Sequence, residues 1–116
     1  MDATLPTPEA YRRLVVRLAV EADRRARWRL LMAAHVVGQS RLFLHADSHL
    51  RMLGQAWQDR DGREVAGQLL RLALVPFGHA VGRLPTGNVG RATVSAWRPM
   101  QPPGDVAALV RWARRG

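Results

Sequence analysis

Apolar positions recur at helical spacing over the first three-quarters of the chain, and short polar clusters divide them into segments. Thr7-Pro8-Glu9 reads as a helix start, with Thr7 as cap, Pro8 in the first turn and Glu9 at the positive end of the dipole. Tyr11, Leu14, Val15, Leu18 and Ala22 then fall on one face. Asp23 is placed to cap a second helix over about Arg24 to Val37. That helix is apolar nearly all round from Leu30 onward, which predicts a central, buried position. Gly38 closes it, and Ser40 is the expected cap of a third helix.

On the third helix Phe43, Ala46, Leu50, Leu53 and Trp57 share one face, the expected buried one. Asp59-Arg60-Asp61-Gly62 forms a turn, and Asp61 with Glu64 resembles a capping box for a fourth helix. The expected buried stripe of that helix is Val65, Leu69, Leu72 and Ala73. From Pro76 the pattern changes. Pro76, Gly78, Gly82, Pro85, Gly87 and Gly90 predict irregular chain to about Gly104. Asp105 then caps a last helix with Val106, Leu109, Val110 and Ala113 inward.

The predicted plan is all-α and a single domain over residues 1–116. It holds two antiparallel helical hairpins, an irregular segment over about 76–104 and a C-terminal helix. The hairpins recur near a tetratricopeptide period, so a tetratricopeptide-like stack and a closed bundle both fit. Leu31, Leu50, Leu53 and Leu69 are expected in the core.

Composition narrows the function. Apolar residues make up 47% of the 116, enough for a packed core. With no cysteine, thiolate metal sites, cysteine nucleophiles and disulfides are excluded, which fits a cytoplasmic setting. The N-terminus lacks the pattern of a signal peptide, and the uncharged stretch Leu30–Ser40 is too short to span a bilayer. The net charge is +9, and every basic residue is arginine, a habit that matches a GC-rich genome as well as a charged surface. The balance still admits nucleic acid or an acidic partner.

One pattern could carry chemistry. Three successive helices each hold a pair of ligand-capable side chains one turn apart: His35/Gln39, His45/His49 and Glu64/Gln68. His35 and Gln39 align with Trp28 and Met32, His49 sits on the shoulder of the third helix's apolar face, and His45 lies farther out. Glu64 falls opposite its helix's apolar stripe, where capping explains it. Two histidines one turn apart can share a divalent metal ion, with His35 as third ligand and Glu64 or Gln68 near it. The alternative is a hydrogen-bond network that fixes helix packing. The zinc-protease pattern is broken, because Ala46 follows His45. His79 reads as a loop residue. Gly87 and Asn88, within Pro85–Gly90, form a candidate anion loop or a structural turn. No serine sits in a nucleophile elbow, and no carboxylate pair suggests acid–base work.

Taken together, Ala34-His35-Val36-Val37-Gly38-Gln39, His45 and His49 with Met52, Glu64 with Gly67-Gln68, and Pro85-x-Gly87-Asn88 resemble a small bacterial family, the domain of unknown function 3703. The resemblance spans about Glu21 to Leu109. It implies that these polar positions and Asn88 belong to a family pattern, and it carries no mechanism. Val89 and Arg91 depart from the family's Gly-Asn-Thr-Gly-Gly loop. The leading expectation is a non-enzymatic helical module that binds a protein partner or its own copy. A histidine metal site and a nucleic-acid-binding protein are the alternatives.

Overall fold

The structure, a computed structural model, describes residues 4–82, 88–93 and 99–116. Five helices follow in order: α1 (Thr7–Val20), α2 (Arg24–Gly38), α3 (Leu42–Gln58), α4 (Gly62–Val81) and α5 (Gly104–Arg114). The fold is all-α, as the periodicity predicts. Helix α2 is central: α1, α3 and α5 all pack on it, α4 packs on α3, and α5 also touches α1. The hairpins α1–α2 and α3–α4 therefore stack side by side. Leu14, Leu31, Val37, Met52 and Val106 form the fully enclosed core.

Local chemistry sets most boundaries. Asp23 caps α2 by accepting from the Ala26 amide at 2.9 Å, and Asp61 caps α4 by accepting from Glu64 N–H at 3.1 Å. A polar clamp holds α2 on α3. The Trp28 indole donates to Asp59 Oδ2 at 2.8 Å, Arg27 Nε donates to Gln55 Oε1 at 2.7 Å, and Gln55 Nε2 donates to Asp59 Oδ1 at 2.9 Å. Other expected caps differ. Pro6 stands at the N-cap of α1, Arg41 at that of α3 without a side-chain bond, and Pro103 at that of α5, with Asp105 inside its first turn. Among the described residues no helix is long and apolar enough to cross a membrane.

The structure corrects the sequence reading in two larger ways. First, α4 does not stop at Pro76 but runs to Val81, and Gly82 ends it in a left-handed conformation (φ 72°). Pro76 sits on the exposed side of the helix, where water can reach the carbonyl that its missing N–H leaves bare. The irregular segment is thus shorter, and of it residues 88–93 and 99–103 are described and non-helical.

Second, α3 and α4 turn their polar faces inward and leave much of their apolar stripes exposed. Phe43, Leu50 and Trp57 are 85%, 55% and 75% exposed. The buried side of α3 is His45, Ser48, His49, Met52, Gln55 and Ala56, with Leu53 only half-buried. In α4, Leu69 and Ala73 are exposed, Val65 and Leu72 are half-buried, and Glu64, Gln68, Arg71, Val75 and Gly78 are buried. Polar groups go inside only when they arrive with partners. Here they do: these histidines, the glutamine and the glutamate meet one another and the 88–92 backbone. Of the four leucines expected in the core, only Leu31 is fully buried.

Candidate metal centre

His35 lies near the end of α2, and His45 and His49 lie one turn apart on α3. The turn at 39–41 folds the two helices together, so the three rings converge. Their centroids are 4.7–5.0 Å apart, and all three imidazoles are buried. One ligand nitrogen from each lies within 4.8 Å of the other two. The His35 and His45 Nε2 atoms are 3.1 Å apart. Two nitrogens sharing a metal at about 2.0–2.1 Å in tetrahedral geometry stand about 3.3 Å apart, so this pair is already at ligand spacing.

The surrounding bonds decide which nitrogen each ring offers. His35 Nδ1 donates to the Asn88 carbonyl at 2.7 Å, an acceptor that admits only a donor. His35 therefore keeps its Nε2 lone pair facing inward. The Gln68 Nε2 group donates to Glu64 Oε2 at 2.8 Å and to the Gly90 carbonyl at 3.0 Å, which fixes its Oε1 towards His49. His49 Nδ1 must then donate to that oxygen, at 2.6 Å, and its Nε2 also carries a lone pair. Metal-binding histidines are oriented in this way, with the far N–H committed to an oxygen. His45 links both ways. Its Nδ1 lies 3.0 Å from His79 Nε2, and in the tautomer protonated at Nδ1 His45 donates to His79 and bares its own Nε2.

Glu64 forms the floor of the network. Its Oε1 accepts from Arg91 Nε at 2.6 Å, and its Oε2 accepts from Gln68 Nε2 and from the Ala92 amide at 2.8 Å each. It is fully buried, not a solvent-facing helix cap. Two glycines admit the 88–92 segment. A Cβ on Gly67 would collide with the Ala92 Cβ, and one on Gly90 would lie 2.7 Å from the His35 ring. Gly90 has φ +84°, and its N–H donates to Asn88 Oδ1 at 2.9 Å.

The structure thus joins His35, His45, His49, Gln68 and Glu64, and adds Asn88 through its carbonyl. Gln39 is buried at the C-cap of α2, a turn beyond His35. Gly87 lies outside the described residues. The sequence reading missed His79 and Arg91. Once α4 continues past Pro76, His79 falls on the same face as Gln68, eleven residues on, so the helix break hid it. The signal for Arg91 was its departure from the loop pattern of the resembled family.

Electrostatics keeps these rings neutral. Burial first, then the charges of His49 and His45, holds His35 well below its ordinary range. His45 is pushed down to about 3, by burial and then by His49 and His79. His49 is pushed down to about 4, chiefly by burial, against the opposing hydrogen bond it donates to Gln68. In the unfolded chain each titrates near 6.5. The unfolded state therefore binds more protons below 6.5, and folding stability falls with pH in that window. Metal-free protein should lose stability steadily between about pH 6.5 and 5, above the carboxylate range. Urea unfolding at several pH values checks this, and a flat profile would count against neutral buried imidazoles.

The fold and this cluster define a class: a small stacked-hairpin helical protein with a buried, outward-braced histidine triad. The chain belongs to the family described as Protein of unknown function (DUF3703), whose sequence profile matches residues 9–110. No curated protein and no solved structure matches it.

Proposed function

We propose that this protein binds one late first-row divalent metal ion of the zinc class through Nε2 of His35, His45 and His49. One observation carries the reading: three buried imidazoles present ligand nitrogens within 4.8 Å of one another, and two of them have their Nδ1 protons committed elsewhere. A donor set of neutral imidazoles suits zinc, copper(II) or nickel and disfavours magnesium and calcium, which prefer oxygen. Three protein ligands leave a further position on the ion. Asn88 and Gln68 hold two ligands at the required tautomer, and Glu64 supplies a buried negative charge two bonds from the centre.

The competing reading is a hydrogen-bond network that only fixes packing. Metal analysis of protein purified without a histidine tag, followed by zinc titration of the metal-free form, separates the two. The expected result is one ion per chain and a melting temperature that rises with zinc, because the ion binds the folded state. His49→Ala should remove both effects. Substoichiometric metal together with a melting temperature indifferent to zinc, copper(II) and nickel would leave the network as the whole story.

A further inference from the structure

We infer that the outer face of the α3–α4 hairpin is a dimer interface that pairs two copies of this chain. The inference is independent of the metal reading. Phe43, Leu50 and Trp57 stand at seven-residue intervals on α3 and are 85%, 55% and 75% exposed. Ala46 and Leu53 fall between them, which completes the alternating three- and four-residue spacing of a coiled-coil seam. Helix α4 repeats the spacing with Leu70 and Phe77, 57% and 56% exposed, set among exposed Ala66, Ala73 and Ala80. The buried sides of both helices face the histidine cluster, as the His49–Gln68 bond shows, so the two stripes share the opposite side.

Size, charge and shape together select a second copy as the occupant. The exposed apolar side chains amount to roughly 800–1,000 Å² per chain, about what one partner brings to a stable interface. A patch this large is uncommon on a monomer. The chain carries a net charge of +9, so copies repel wherever arginines meet. This face is nearly exempt: after Arg63 in the first turn of α4, the one formally charged side chain to Val81 is Arg71, which is 7% exposed and points inward. A surface helix lying on a membrane would carry basic residues along its flanks, and beyond Arg63 in its first turn α4 exposes none. The shapes are also self-complementary. The large side chains of α3 and the alanines of α4 repeat at the same seven-residue interval. Two hairpins laid face to face about a two-fold axis therefore set knobs of one copy against notches of the other.

Sedimentation of the full chain at micromolar concentration, metal-free and with zinc, tests the inference. The expected mass is twice the chain's 12.9 kDa, and a Leu50→Glu/Phe77→Glu double variant should sediment at half the wild-type mass with unchanged helical circular dichroism. Val16→Glu, on the exposed side of α1, should remain dimeric. A wild-type protein that is monomeric throughout would overturn the inference, as would a double variant that stays dimeric or a Val16→Glu variant that dissociates equally. Flotation of a monomer with neutral phosphatidylcholine vesicles would assign the face to a membrane instead.

Discussion

Gly90→Ala should destabilise the metal-free protein by about 2–5 kcal/mol, the combined cost of a left-handed backbone and an overpacked core. Gly90 has φ +84°, which a residue with a side chain adopts only at a cost. Its added methyl would also stand 2.7 Å from Cγ and Cδ2 of His35 and 3.0 Å from Nε2. The ring cannot swing aside cheaply, because the Asn88 carbonyl two residues earlier holds its Nδ1 at 2.7 Å. Relief must come from moving the 88–92 segment or from moving a ligand. Either choice disturbs the proposed metal centre, so zinc affinity should fall at least about tenfold, as for other disrupted ligand-orienting contacts. Gly82→Ala is the matched control. Gly82 also has positive φ (+72°), but its added Cβ meets nothing within 4 Å. It should cost only the backbone share, about 1–2 kcal/mol, and leave zinc affinity alone. Equal losses in the two variants, by chemical denaturation and zinc titration, would show that contact with His35 is immaterial.

That glycine also marks where the sequence stops being informative. Helix count, order and most boundaries follow from periodicity and from two aspartate caps, Asp23 and Asp61, which act locally. Which face of a helix turns inward is a tertiary matter, and α3 shows why. Its apolar stripe through Phe43, Leu50 and Trp57 competes with a polar stripe through His45 and His49. Transfer energies favour burying the first. The second is buried because Gln68, Glu64, Asn88 and Gly90 bring complementary donors and acceptors from far along the chain. No pattern within one helix contains those partners. The paired spacing of ligand-capable residues identified five members of the network, His35, His45, His49, Glu64 and Gln68, without its depth and without His79 and Arg91. If two copies do pair through α3 and α4, the stripe expected in the core is buried after all, in the assembly rather than in the chain.

Glu64→Ala is expected to cost about 3–5 kcal/mol, the loss that follows when one partner of a buried ion pair is removed. The magnitude decides between two roles. As a first-turn acidic residue on a capped helix, Glu64 would contribute at most about 1 kcal/mol through the helix dipole. As placed, its carboxylate accepts from Arg91 Nε, Gln68 Nε2 and the Ala92 amide, and alanine strands donors of all three residues. The Arg91 guanidinium stacks over the Trp28 ring at 3.8 Å, so its stem stays packed while its charge loses its counter-ion. Glu64→Gln separates stability from ligand control. The amide keeps the volume, but its NH2 group meets a donor whichever way it turns, either Arg91 Nε or the pair from Gln68 and Ala92. Turning its NH2 towards Gln68 favours a flip of that side chain, which would present an N–H to His49 Nδ1 and force the His49 proton onto Nε2, the nitrogen that must be bare to bind metal. Zinc affinity should therefore fall about 10–100-fold in Glu64→Gln, the range for an outer-shell partner. Its loss of stability should be smaller than in Glu64→Ala. Zinc titrations and urea unfolding of both variants read these effects separately. A Glu64→Ala variant within 1 kcal/mol of wild type would return Glu64 to the role of a helix cap.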